Sequence, residues 1–224
     1  MELAPTIEHT RLKPDLTEKE VDKLISQAVE YGFHGVCVPP FWVKRAHREA
    51  GNSGIKIITV AGFPFGYSLT ETRLDEINRV IDLGADEVDI VWNLSAFRSD
   101  MQWCKIDIAR CTQAVHAKQR IIKVILETSL LSDEEIKEGC TICADAGADF
   151  VKTSTGFMGG GAEEKHIRLM RESLPASVGI KASGGIKTAE QAMTLIRAGA
   201  ERIGTSSAME MMQELKKRGG KNSK

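Results

Sequence analysis

Three charged residues stand singly among apolar neighbours in short runs that read as buried strands: Asp89 between Val88 and Ile90, Lys152 after Val151, and Lys181 between Ile180 and Ala182. Side chains alternate along a strand, so Val88, Ile90 and Val151 are expected to face one way, and Asp89, Phe150 and Lys152 the other. A fifth run repeats the arrangement, with Lys123 and Glu127 on one parity and Ile122, Val124 and Leu126 on the other. Ionised groups inside a protein are costly unless paired or put to use. One such residue is most simply half of a structural ion pair. Two lysines on adjacent strands with an acid call for a joint explanation, and amine catalysis supplies one. Lysine attacks a carbonyl only when neutral, and at an ordinary pKa of about 10.4 roughly 0.04% of it is neutral at pH 7. A neighbouring ammonium and partial desolvation both lower that pKa, and a shift to about 7 raises the nucleophilic fraction about a thousandfold. The Asp89 carboxylate would then handle protons through carbinolamine and enamine steps. A structural Asp89–lysine pair closing the core is the alternative that these residues alone leave open.

An internal repeat is what must position these groups. Four segments put a glycine at a helix end and a strand after it: Tyr31-Gly32-Phe33-His34-Gly35-Val36, Leu83-Gly84-Ala85-Asp86-Glu87-Val88, Ala146-Gly147-Ala148-Asp149-Phe150-Val151 and Ala198-Gly199-Ala200-Glu201-Arg202-Ile203. Glycine just past a helix end tolerates the left-handed turn that stops it. The apolar run that follows reads as a buried parallel strand. Five residues beyond these glycines stand Cys37, Asp89, Lys152 and Gly204. Equal offsets from equivalent turns lead us to expect Asp89 and Lys152 in one interior layer, since alternate strands of an eight-stranded barrel share a layer.

The full pattern gives strands near 6–10, 35–38, 55–61, 86–92, 120–127, 149–154, 178–183 and 202–205. Amphipathic helices separate them, near 17–31, 40–50, 70–83, 100–118, 132–146, 162–173, 187–198 and 206–218. Thr17 with Glu20, and Ser132 with Glu135, read as capping boxes. Eight strand–helix units predict an α/β fold, a (β/α)8 TIM barrel in a single domain over residues 1–215. Residues 216–224 read as a basic, solvated tail. A doubly wound open sheet is the rival, because periodicity does not report closure.

Two loops then point to an anion. Ala182-Ser183-Gly184-Gly185-Ile186-Lys187 and Ile203-Gly204-Thr205-Ser206-Ser207-Ala208 both leave a strand and run into a helix. Loops after strands seven and eight, with helix N-termini aimed into the barrel mouth, commonly cradle phosphate. Gly184, Gly185 and Gly204 let the backbone approach, and Ser206 and Ser207 offer hydroxyls; ordinary helix capping is the plainer reading of either loop alone. The glycine-rich run from Lys152 to Gly161 suits a mobile loop over a site.

Composition narrows the partners. The 224 residues carry 30 Lys+Arg against 31 Asp+Glu, a formal net charge of −1. That balance argues against a broad nucleic-acid-binding field while allowing a local phosphate pocket. No apolar run is long enough to span a membrane, and the first residues lack the pattern of a signal peptide, so a cytoplasmic protein is expected. Cys140-Thr141-Ile142-Cys143 has redox or zinc spacing, but it lies in a helical pattern without further ligands and reads as two small residues on one face. Cys104 and Cys111 read the same way.

At this point the sequence is similar to a known family. Val151-Lys152-Thr153-Ser154-Thr155-Gly156-Phe157, with Gly179-Ile180-Lys181-Ala182-Ser183-Gly184-Gly185-Ile186, resembles the paired signature of the deoxyribose-phosphate aldolases. The likeness extends to Ile7-Glu8-His9-Thr10-Arg11-Leu12-Lys13-Pro14, Val36-Cys37-Val38-Pro39-Pro40, Asp86-Glu87-Val88-Asp89 and Gly204-Thr205-Ser206-Ser207, nearly the whole chain. The resemblance implies a class I aldolase that needs no metal or cofactor and reversibly cleaves 2-deoxy-D-ribose 5-phosphate to D-glyceraldehyde 3-phosphate and acetaldehyde. It implies that Lys152 forms the Schiff base, Lys181 depresses its pKa, and Asp89 transfers protons through a water. Gly184, Gly185, Gly204, Ser206 and Ser207 would hold the phosphate, with Glu8, Thr10, Cys37 and Thr153 supporting the pocket.

Three departures stand out. Glu8 replaces a frequent aspartate, and Phe157 stands where some members place a lysine beside the phosphate, which leaves that task to backbone and serines. The only tyrosines are Tyr31 and Tyr67, so no tail phenol serves in proton transfer. A Schiff-base aldolase for another phosphorylated sugar and a non-catalytic phosphosugar-binding barrel are the rival readings. A homodimer is expected from how often soluble enzymes self-associate.

Overall fold

The repeated glycines end helices as expected: all four carry positive φ, from +65° at Gly32 to +120° at Gly199, a region that residues with a Cβ seldom enter. After each of these turns a parallel strand begins. The computed structural model describes residues 2–219 and gives β1 (Ile7–Thr10), α1 (Glu18–Tyr31), β2 (Gly35–Cys37), α2 (Val43–Ala50), β3 (Lys56–Ala61) and α3 (Thr70–Asp82). Next come β4 (Glu87–Val91), α4 (Leu94–Arg98), α5 (Trp103–His116), β5 (Ile121–Ile125), α6 (Asp133–Asp145) and β6 (Phe150–Lys152). The last units are α7 (Glu164–Ser173), β7 (Gly179–Ser183), α8 (Ala189–Arg197), β8 (Arg202–Thr205) and α9 (Ala208–Gly219). Both expected capping boxes form, Ser132 N–H donating to Glu135 at 2.8 Å and Thr17 N–H to Glu20 at 2.8 Å.

The sheet closes in the order β1 to β8, with Ile7 of β1 paired to Ile203 of β8. Closure excludes the open-sheet alternative. Val88, Ile90, Ile122, Val124, Val151 and Ile180 point outward into the continuous apolar layer beneath the helices. Inside, a small apolar group of Cys37, Ile58 and Val60 fills one side, and charged side chains fill the other.

Three local features differ from the sequence reading. Helix α4 was absent from it; five residues are too few to show a helical period, and the turn is held by Asn93, which accepts from Ala96 N–H at 3.0 Å. The segment expected as a helix from residue 40 opens with a 3-10 turn over Pro40–Trp42. Helix α9 runs beyond residue 215, the expected end of the barrel, and Lys216 on it reaches the Tyr31 hydroxyl at 3.3 Å. The rest of the expected tail, residues 220–224, lies outside the described residues. Cys140 and Cys143 are both buried on α6, where burial pushes the Cys140 thiol up to about 12. No helix among the described residues is long and apolar enough to cross a membrane.

A buried pair fixes the rim loop after β3. Arg73 on α3 is fully buried, pairs with Asp107 of α5 and donates to Gly66 O at 2.6 Å, while Thr70 donates to the other Asp107 oxygen at 2.6 Å. In the same loop the Phe63 ring meets Phe157 edge-on at 5.2 Å, linking the loops that follow β3 and β6.

Candidate active site

Strand register places Lys152 beside Lys181 across β6 and β7, and Asp89 beside Lys123 across β4 and β5. All four side chains are buried in the barrel interior, and Glu8 from β1 joins them. Asp89 is the hub. Its Oδ2 accepts from Lys152 Nζ at 2.8 Å and from Lys181 Nζ at 2.7 Å, and its Oδ1 accepts from Lys123 Nζ at 3.0 Å. Lys181 also pairs with Glu8, and Lys123 pairs with Glu87 and, at 3.4 Å, with Glu8. Three ammonium groups therefore meet three carboxylates, which is the condition for so many charges to persist in a dry core.

These surroundings separate the three amines. Burial is the largest influence on Lys152 and holds its pKa below the ordinary lysine value; Asp89 opposes this, and Lys181 adds to it. Burial also disfavours charge on Lys181, but Asp89 and Glu8 outweigh it and raise that pKa. Lys123 is raised well above its ordinary value, Asp89, Glu8 and Glu87 together overcoming burial. For Asp89, burial favours the neutral form, yet Lys123, Lys152 and Lys181 hold its carboxyl well below the usual range. Desolvation is thus the leading influence on Lys152, and the Lys181 ammonium works in the same direction. Glu8 pairs with Lys181 and, after Asp89, adds to the rise in that lysine's pKa.

Above the network the barrel opens into a cavity of about 340 Å³. Of the expected residues, Thr10, Lys152, Gly184, Gly185, Gly204, Ser206 and Ser207 line it. Gly204 leaves room for Lys181, since a Cβ there would sit 3.0 Å from Lys181 Cε, a tight contact. Cys37 and Thr153 are buried alongside. Burial pushes the Cys37 thiol up to about 11, and Thr153 Oγ1 ties β6 to β7 by donating to Ser183 O at 2.9 Å and accepting from Ser183 N–H at 3.0 Å.

The loop after β6, expected to be mobile, is stitched at both ends. Glu127 accepts from Thr155 N–H at 3.0 Å, and Ala162 N–H donates to Gly184 O at 3.0 Å. The loops after β7 and β8 are joined too, because Thr205 Oγ1 donates to Ile186 O at 2.7 Å and accepts from Ser207 N–H at 2.9 Å.

Sequence reasoning missed several groups. Arg11, Lys13 and Lys187 line the cavity beside the expected glycines and serines. They sit in loops whose direction no periodicity reports. Glu87 was detectable, standing two residues before Asp89 on the same parity; its carboxyl is held at about 2, where burial is overcome by Lys123 and His34.

The molecule is thus a (β/α)8 barrel with a buried amine at its open mouth beside a cationic, glycine-lined cavity, the layout of a Schiff-base aldolase. The family model described as DeoC/LacD family aldolase matches residues 6–214. The chain belongs to that family. It is 46% identical over 220 residues to the deoxyribose-phosphate aldolase of Brevibacillus brevis, covering 98% of this chain and 99% of the relative. It is 44% identical over 215 residues to that of Thermococcus kodakarensis, covering 95% and 96%. Among solved structures it is similar to an aldolase named QR15, with a TM-score of 0.92 at 40% identity over 97% of both chains. The deoxyribose phosphate aldolase of Aeropyrum pernix, described as a unique tetramer, matches with a TM-score of 0.89 at 33% identity over 96% of this chain and 91% of that one.

Proposed function

We propose that this chain is a class I aldolase that reversibly cleaves 2-deoxy-D-ribose 5-phosphate to D-glyceraldehyde 3-phosphate and acetaldehyde, with Lys152 as the Schiff-base lysine. One observation carries the assignment. Of the interior lysines 123, 152 and 181, Lys152 is the one that lines the cavity, and it is the one whose surroundings lower its pKa where those of the other two raise it.

The neutral amine adds to the C1 aldehyde of the open-chain sugar, and the carbinolamine loses water to give an iminium. The iminium draws the electrons of the C2–C3 bond as the C3 hydroxyl loses its proton, releasing D-glyceraldehyde 3-phosphate and leaving the acetaldehyde enamine on Lys152. Protonation at C2 and addition of water then free acetaldehyde and the amine. Asp89, in contact with Lys152, takes and returns these protons with a water. Lys181, kept cationic by Glu8 and Asp89, supports the amine's depressed pKa. Incubation with acetaldehyde and borohydride should leave an ethyl group on Lys152, identified by peptide mass spectrometry; modification at Lys123 or Lys181 instead would show the roles to be misassigned.

Gly184, Gly185, Gly204, Ser206 and Ser207, with Lys187 beside them, hold the phosphate in this reading. Ser207→Glu places a carboxylate there and should raise KM for the phosphorylated sugar at least about tenfold by repulsion. Cleavage of unphosphorylated 2-deoxyribose should keep its parental kcat/KM; equal losses on both substrates would remove these residues from phosphate binding. A phosphorylated substrate does not cross membranes unaided, so the proposal includes a cytoplasmic setting. It also includes self-association, with a dimer as the smallest unit.

A further inference from the structure

Below the cavity the ion network continues toward the closed end of the barrel. Glu87 lies one pleat before Asp89 on β4, and its carboxylate pairs with Lys123 through one oxygen and with His34 Nε2 at 2.8 Å through the other. His34 stands just before β2 with 16% of its side chain exposed, against 3% for Glu87 and none for Lys123, so the chain of charges meets solvent at the imidazole. The contacts run unbroken from His34 to Glu87, Lys123, Asp89 and Lys152. Glu8, His34 and Glu87 bring their oxygen and nitrogen atoms within 4.8 Å of one another, a spacing that fits a cation. The ammonium of Lys123 pairs with both carboxylates there.

We propose that His34, Glu87 and Lys123 form a charge relay that sets how readily Lys152 becomes the neutral nucleophile, with His34 carrying the compensating positive charge in that state. The inference rests on Lys152 being the Schiff-base lysine. Its basis is a charge count. Glu8, Glu87 and Asp89 balance Lys123, Lys152 and Lys181, so loss of the Lys152 proton leaves the buried group one negative charge in excess, an unfavourable state in a core. An imidazolium at His34, hydrogen-bonded to Glu87, restores neutrality. The proton leaving Lys152 passes to solvent at the cavity, and His34 takes one from solvent at the other end, so no bond to carbon changes.

Glu87 of β4 and Glu8 of β1 lie beside His34, and Lys123 of β5 pairs with both of these carboxylates. The same end of the barrel carries exposed Lys56 on β3, the Asp86–Arg120 and Asp149–His116 pairs, and Arg202 of β8 lying over Phe150. These stay constant across the variants below and form a common background.

The test is the pH dependence of Lys152 alkylation by acetaldehyde and cyanoborohydride, read by peptide mass spectrometry, alongside that of kcat/KM. Glu87→Gln removes a negative charge and should move the acid limb down by about one unit, the size of a unit charge acting across the core at an effective dielectric near 20. His34→Gln removes the compensating cation and should move the limb up by about half a unit or more. Glu87→Asp keeps the charge and should keep the parental limb. A merely structural role would change stability and rate without opposite displacements. An unmoved limb in Glu87→Gln, or an unmoved or lowered limb in His34→Gln, overturns the proposal; if Glu87→Gln does not fold, His34→Gln decides alone. Failure to alkylate Lys152 in the parent protein would instead overturn the assignment of the nucleophile, so the two failures read differently.

Discussion

Lys152→Met should lower kcat/KM for cleavage of 2-deoxy-D-ribose 5-phosphate by about four orders of magnitude or more, because the covalent route loses its amine. Lys152 is the interior lysine that lines the cavity and pairs with Asp89, whereas Lys123 and Lys181 each pair with a glutamate as well as with Asp89. Methionine is close to lysine in length and suits a buried position. Asp89 would lose one donor and keep Lys181 and Lys123, at 2.7 and 3.0 Å. The variant should therefore fold, with a parental circular dichroism spectrum, and still bind the phosphorylated product. The decisive measurement is a coupled assay for D-glyceraldehyde 3-phosphate. A correctly folded variant retaining more than about 1% of parental activity would rule out the Schiff base on Lys152.

Lys181→Leu is the second large effect, and its signature is a displacement in pH. With that ammonium gone, Glu8 and Asp89 face two cations in place of three, and the excess negative charge favours the protonated form of Lys152. The sign follows: the Lys152 pKa rises, the neutral fraction at pH 7 falls, and the acid limb of kcat/KM moves to higher pH. A shift of about two units lowers the rate at pH 7 about a hundredfold, with partial recovery as pH rises toward 9. Stability should fall as well, because Glu8 is left buried and short of a partner. A profile across pH 6–9 that superimposes on the parent's, from a folded variant, would remove Lys181 from the control of Lys152.

How far these groups were legible in the chain depended on whether they left a periodic mark. Asp89, Lys152 and Lys181 did, each being a lone charge at an inward position of an apolar strand, and the offset from Gly84 and Gly147 put the first two in one layer. Glu87 carried the same mark two residues earlier and went unread, because an acid at the start of a strand also suits an exposed turn. His34 carried none, since it precedes its strand and gains meaning from a neighbour 53 residues away. The Arg73–Asp107 pair was hidden for a related reason: both residues lie on helices, where a charge reads as a solvated face until another helix covers it.

Order and spacing along the chain, by themselves, determined the eight strand–helix units, the inward parity of the charged residues and the glycine-rich turns at the mouth, because these obey local rules of helix termination and strand alternation. Only the folded molecule decided that the sheet closes, that Asp89 takes hydrogen bonds from three lysines at once, and that Glu8 fastens the proton of Lys181 and not of Lys152. The preference of an amine for its proton is set by every charge and every missing water within a few ångströms. Those neighbours come from strands that are distant in the sequence and meet around one axis.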